Sequence, residues 1–225
     1  MATSETRERL LGATVELLAG PGVTGVSARA VASVAQVNQA LVFYHFDSVA
    51  ELVREATRVS TQRAIDHYRP ALAEATSLTG LLEVGRRLHA EESAGGAVRV
   101  MAQLLAAGQS DPEHARTARD CLRLWFAEVA RAVDRLLAAS PIRELVDVDD
   151  LSRAVGAAFI GLELYEGVDP EGAEAALDSL AALGVLIDVL DGLGPMERKL
   201  LQKRLTGLRK RASTQRFPAL SDRES

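Results

Sequence analysis

The sequence predicts an all-α protein, on three observations. Alanine and leucine dominate most segments, aromatic residues make up only 4% of the chain, and no long alternating run of β-branched residues supports a strand. The apolar residues recur instead at helical spacing, punctuated by Gly, Pro and capping residues. With 225 residues, 48% of them hydrophobic and 25% charged, the chain can bury a substantial core and is far from the composition of a disordered one. The expected layout is an N-terminal three-helix unit over residues 1–56 containing a helix-turn-helix, a larger helical part over 57–195, and a basic C-terminal helix with a flexible tail over 196–225.

The first helix is expected from Glu5 to about Ala19, capped by Ser4, with Leu10, Ala13, Thr14, Leu17 and Leu18 on one face. Gly20-Pro21-Gly22 ends it. Ser27 is placed to cap a second helix, Ala28 to Ala35, with Val31, Val34 and Ala35 facing inward. Gln36-Val37-Asn38 interrupts the pattern. Asn38 can cap a third helix that ends near His45, and Ser48 with Glu51 reads as a capping box opening a fourth, expected to run to about His67. Beyond Ala56 the helices lengthen, with breaks expected at Pro70, near Ser77, at Gly95-Gly96, Ser110-Asp111-Pro112, Ser140-Pro141, Gly167 to Pro170 and Gly192 to Pro195. A last helix beginning at Pro195 carries Leu201, Leu205 and Leu208 on one side and basic residues on the other, and periodicity stops after Ala212.

Charge is unevenly distributed. Residues 1–58 hold five Arg against six acids, residues 196–225 hold nine Lys and Arg against three acids, and the net charge of the whole chain is −5, so the acidity sits in the middle. A negative total does not exclude nucleic acid, because phosphate affinity depends on charge at the contact surface. The single Cys121 cannot form an intramolecular disulfide and no C-x-x-C pair is present, which suits a reducing cytoplasm. The N-terminus has no apolar stretch after its charges, and the run from Ala154 to Leu162 is too short to span a bilayer, so neither secretion nor membrane insertion is expected.

Two short helices joined by a three-residue turn have the geometry of a helix-turn-helix, whose second helix enters the major groove of DNA. Val31, Ala32, Ala35, Val37 and Val42 stand where such a unit needs small or apolar side chains. Asn38 to His45 spans about 12 Å at ~1.5 Å per residue, comparable with the groove's width of roughly 12 Å. Asn38 and Gln39 can pair donor and acceptor with a base edge, adenine best, and Leu41 can contact a thymine methyl. Ser27 and Ser48 lie at helix N-termini, which attract phosphate, and Arg29 adds a charge in the first turn of its helix.

From the first helix through "VNQALVFYHF" to "SVAELV" the sequence resembles the DNA-binding domain of TetR-family transcriptional regulators, and the ring cluster Phe43-Tyr44-His45-Phe46 is the most specific part of the likeness. The resemblance implies that Phe43 and Phe46 pack against the first and fourth helices while Tyr44 and His45 reach the DNA backbone. The chain departs from the family pattern at Gln36, where glycine is usual, and at Val49, where lysine is usual. With one phosphate contact missing and a nearly neutral N-terminal region, a shallow salt dependence is expected.

The resemblance further implies a homodimer on a double-stranded, palindromic DNA operator, formed through residues 149–191, whose segments Asp149 to Gly167 and Glu171 to Asp191 are rich in Ala, Gly and Leu. It implies an effector site in the intervening helices, for which Met101, Leu104, Leu105, Cys121, Trp125, Phe126, Phe159 and Glu163 are candidate lining residues. Met and aromatic residues at helical spacing equally suit an ordinary core. A ligand-responsive repressor is the reading favoured. Its rivals are an activator or ligand-independent regulator of the same fold, and a helical small-molecule carrier or interaction protein that binds no DNA. His45, His67, His89 and His114 lack an H-x-x-x-H pair or acidic partners at metal-binding spacing, and no nucleophile elbow, phosphate loop or dinucleotide fingerprint occurs. No metal, cofactor or enzymatic activity is therefore expected.

Overall fold

A computed structural model describes residues 2–201 other than 139, 141, 144, 145, 195, 198 and 199. Within them the chain forms α1 (Ala2–Ala19), a 3₁₀ turn (Val23–Gly25), α2 (Ala28–Val34), α3 (Ala40–His45), α4 (Val49–Glu74), α5 (Leu78–Gly95), α6 (Ala97–Ala107), α7 (Pro112–Leu137), α8 (Val148–Glu166) and α9 (Pro170–Asp191). The expected helix from Pro195 and the tail after Ala212 lie outside the described residues.

Local chemistry sets most helix starts. Ser27 Oγ accepts from the Ala30 amide at 3.2 Å, Ser48 Oγ from the Glu51 amide at 3.0 Å, and Asp147 and Asp169 carboxylates likewise cap α8 and α9. Asp111 caps α7, with Pro112 in the first turn where its missing N–H costs nothing. Three details differ from the sequence reading. Ser4 lies inside α1, which begins at Ala2. The capping box at Ser48 is half formed, because the Glu51 carboxylate turns to Arg54. Val34 is 38% exposed, on the outer side of α2, while Val31 is fully buried.

The expected break at Pro70 does not occur, for Pro70 lies inside α4. An interior proline costs about 3 kcal/mol in an isolated helix, so tertiary contacts must hold the last turns. Ile65, Tyr68 and Leu72 are buried there, and Tyr68 donates its hydroxyl to Glu91 at 2.8 Å. Arg135 of α7 donates to the carbonyls of Leu72 at 2.9 Å and Ala75 at 2.8 Å, which the helix end leaves without amide partners.

Two apolar cores result. The first joins α1 to α4 through Leu10, Leu11, Val31, Ala32, Val42, Phe46 and Leu52. The second joins Leu18 and Val53 of that unit to Val100, Met101 and Leu104 of α6 and Ala118 and Cys121 of α7. The buried hydroxyls of Thr14 and Thr57 are satisfied by the carbonyls four residues back, each at 2.8 Å. α4 runs unbroken past residue 56, so the N-terminal unit and the larger helical part share one long helix. Among the described residues, no helix is long and apolar enough to cross a membrane.

Candidate nucleic-acid interface

The turn between α2 and α3 is a helix C-terminus of defined type. The Val37 amide donates to the Ala32 carbonyl at 2.9 Å and the Gln36 amide to the Ser33 carbonyl at 3.1 Å, the paired bonds of a Schellman motif. That motif puts its central residue in the left-handed region, and Gln36 has φ 54°. A side chain there costs about 1 kcal/mol relative to glycine. α3 then starts with Asn38 Oδ1 accepting from the Ala40 amide at 2.8 Å. Asn38 therefore acts as a cap, and only its amide N–H groups and one acceptor lone pair remain for a base.

Asn38, Gln39, Ala40, Phe43 and Tyr44 are exposed along α3, Leu41 and His45 are half-buried, and Ser27, Arg29 and Ser48 are exposed at the flanking helix starts. The sequence reading assigned both phenylalanines inward, and only Phe46 is buried. Phe43 is 55% exposed, three and four residues beyond Ala40 and Gln39 and so on their solvent-exposed face. Tyr44, 72% exposed, meets the His45 ring edge-on at 5.0 Å between centroids. The Ser27 and Ser48 hydroxyls accept as caps and keep their own hydrogens to donate to phosphate.

Most arginines of this unit are committed to the fold. Arg7 bridges α1 to α4 by pairing with Glu55 at 3.1 Å and lies over the Phe46 ring, 5.2 Å from its centroid. Arg54 pairs with Glu51, Arg58 with Glu55, and Arg9 donates to backbone carbonyls. Arg58, ahead of Arg7, holds the Glu55 carboxylate down to a pKa of about 2 against an opposing burial penalty. Arg29, exposed, is the arginine of residues 1–58 with no protein partner among the described residues. Val49, where a lysine would add a phosphate contact, is half-buried against both cores. Its apolar character belongs to the seam between them.

The structure places the expected effector residues on α6, α7 and α8. Met101, Leu104 and Cys121 are buried in the second core, with Leu105 packed against it, and burial pushes the Cys121 thiol up. Trp125 lies half-buried with its ring 6.5 Å from that of buried Tyr68. Phe126 packs so closely on Gly156 of α8 that a Cβ there would come within 2.3 Å of its ring. Phe159, half-buried on α8, lies beside Gly85 of α5, and Glu163 is half-buried one turn further along α8.

Sequence reasoning missed the polar ties that attach α4 to α7 and α5. Glu128 is 6% exposed and pairs with Arg69 at 2.9 Å and with Arg131. Burial raises its carboxyl, but Arg131 and Arg69 together outweigh that and leave it below the ordinary range. Two histidines have the acidic neighbours that the sequence did not reveal, His67 with Glu91 at 3.3 Å and His114 with Asp111 at 2.9 Å. Glu91 also accepts from Tyr68, and among the described residues neither contact belongs to a group of three that could hold a metal ion.

This arrangement defines a helix-turn-helix protein whose second helix of the motif, α3, is open to solvent on one side and packs through Val42 on a helical body. Residues 10–56 match the family described as bacterial regulatory proteins, tetR family, so the chain carries the DNA-binding domain of tetR-family transcriptional regulators. A putative TetR-family transcriptional regulator from a Rhodococcus species shares the fold at a TM-score of 0.66 and 23% identity, covering 83% of this chain and 98% of that one. The fatty acid degradation regulator FadR from Bacillus halodurans is similar at 0.65 and 14% identity, covering 79% of this chain and 93% of that one. A putative transcriptional regulator from Saccharomonospora viridis, solved in complex with choline, is similar at 0.63 and 22% identity, covering 80% and 93%. No curated protein matches the chain.

Proposed function

We propose that the chain is a ligand-responsive transcriptional repressor that acts in the cytoplasm as a homodimer on a palindromic DNA operator. The observation that carries this reading is the exposed row Asn38, Gln39, Phe43 and Tyr44 on the third helix of a tetR-family domain. Gln39 supplies base-edge pairing, Phe43 and Leu41 apolar contact with thymine methyls, and Tyr44, His45, Ser27, Ser48 and Arg29 phosphate contacts. One such helix reads only a few base pairs. The exposed apolar side chains Val155, Leu164, Leu183, Val185, Leu186 and Val189 support pairing of two copies through α8 and α9, within residues 149–191.

The choline-bound neighbour supports a small-molecule site on this fold. In this chain Trp125, Phe126 and Phe159 frame it between α5, α7 and α8, with Glu163 as a polar group, while Met101, Leu104, Leu105 and Cys121 form the wall shared with the DNA-binding unit. An effector that displaces α7 acts on α4 through Arg69–Glu128 and Arg135, and a shift of α4 changes the spacing of the two reading heads.

Fluorescence anisotropy with genomic fragments flanking the protein's own gene tests the reading, with Tyr44→Ala as control. Saturable binding that weakens about tenfold or more in Tyr44→Ala is expected. A folded, dimeric protein that binds no fragment selectively at any salt concentration belongs instead to the carrier or interaction class. Transcription from the bound promoter, with and without the protein, separates repressor from activator.

A further inference from the structure

Arg9 lies outside the apolar pattern of α1 and outside the reading face, yet its side chain reaches across to residues 26 and 27 positions away. Its Nη2 donates to the carbonyl of Ala35 and, at 3.1 Å, to that of Gln36. Neither carbonyl receives one of the Schellman motif's amide bonds, which run back to Ala32 and Ser33. The guanidinium also places positive charge at the negative end of α2. Between the two carbonyls lies the φ of Gln36, the 54° left-handed dihedral at the one non-glycine position of that kind among the described residues. From that dihedral the chain enters α3, so its value sets the angle between the supporting and reading helices.

We infer that Arg9 is a positioning residue for the reading helix, clamping the Ala35 and Gln36 carbonyls so that a glutamine can hold the left-handed turn from which α3 departs. Glycine at this position would adopt the turn without help. Arg9 and Gln36 are thus coupled, and the effect of losing one depends on the identity of the other. A different role is open to an exposed arginine near DNA, direct contact with phosphate, and that role has no reason to depend on residue 36.

The test compares wild type, Arg9→Met, Gln36→Gly and the double variant in the full-length protein. Operator Kd is measured over a range of salt, and hydrogen exchange is followed at the Gln36 and Val37 amides. Arg9→Met is expected to weaken operator binding about tenfold in the wild-type background, from the loss of two charge-assisted bonds, and less than about threefold with glycine at residue 36. The slope of log Kd against log salt stays unchanged, and the two amides exchange faster in Arg9→Met but recover in the double variant. Equal losses in both backgrounds, or a salt slope reduced by about one, would make Arg9 a phosphate contact and overturn the inference. Unchanged exchange would overturn it as well. The inference uses the DNA-binding reading only for its affinity readout: if wild type binds no DNA, that reading fails, and the exchange of the two amides still decides the role of Arg9.

Discussion

The reading unit and the α8–α9 pair handle apolar side chains in opposite ways. From Leu10 to Ala56 the large aliphatic residues turn inward, and Leu10, Leu11, Val31, Val42 and Leu52 are each 1% exposed or less. Across α8 and α9 the described residues that are buried are small, Ser152, Ala173 and Gly184, while Leu164, Leu183, Leu186 and Val189 are each more than half exposed. The composition of the two regions would not distinguish them, since both are rich in Ala, Leu and Val. Their polar contacts do. α9 is attached to its own chain through Asp188, which accepts from the Leu78 and Thr79 amides, and through Arg86 with Asp178, so these carboxylates face α5 while Leu183 and Leu186 face out. In the proposed dimer a second copy would present the identical apolar surface to cover it.

The largest effect expected from breaking this contrast comes from charging the open face. Leu183→Glu combined with Leu186→Glu touches residues 57% and 56% exposed, so the fold of each protomer is retained. If the proposed pairing holds, sedimentation should show a dimer for wild type and a monomer for the variant, and operator affinity should fall by roughly 100-fold or more as the two half-sites cease to be bound together. A wild type that sediments as a monomer, or a variant that dimerises and binds normally, would remove the contrast as evidence for pairing.

How much of this was legible in the sequence depended on whether the deciding chemistry was local. Ser27, Ser48 and Asp111-Pro112 mark helix starts because a cap bonds an amide two or three residues away, within reach of the chain's own order. Pro70 was misleading for the converse reason. The groups that keep α4 intact past it come from residue 135 and from the packing of Tyr68 and Leu72. Phe43 and Phe46 were read alike, as rings of one cluster, but Phe43 lies on the exposed face of α3 while Phe46 follows the helix end in extended backbone, φ −140°, and turns into the core. Arg9 gave no signal at all, since its partners are backbone atoms on another helix. The effector residues were the least legible, because periodicity places Met101, Leu104 and Cys121 on an inner face without saying whether that face meets a ligand or only its own core.

In the closed half of the comparison, truncation should cost stability rather than association. Leu52 is fully buried and belongs to the first core, under α1 and α2. Leu52→Ala is expected to destabilise the protein by about 3 kcal/mol, within the range for a buried leucine, as measured by denaturant unfolding at constant dimer concentration. The same substitution at Leu186 should change stability by less than about 1 kcal/mol under conditions where the protein is monomeric. Equal costs at the two positions would mean that the outward leucines of α9 are packed within their own chain.

The smallest effect concerns the ion pairs that hold the closed half together, and its direction with pH is fixed by the sign of one shift. Glu55 is bonded by Arg58 and Arg7, which lower its pKa from 4.5 to about 2. A carboxylate whose folded value is depressed binds its proton more readily when unfolded, so it stabilises the native state above the unfolded value and loses that contribution as pH falls towards the folded one. Arg7 and Arg58 are 39% and 55% exposed, which screens both pairs and limits the contribution to about 1 kcal/mol. Glu55→Gln should therefore be less stable than wild type by that amount near neutral pH, with the gap closing between about pH 4.5 and 2. Because Arg7 joins α1 to α4 and also covers Phe46, the loss should loosen the seat of α3 as well. Accelerated hydrogen exchange at the Phe46 amide, which bonds to the Val42 carbonyl at 2.9 Å, would register it. A gap that persists undiminished at acid pH would mean that Glu55 acts through packing rather than charge.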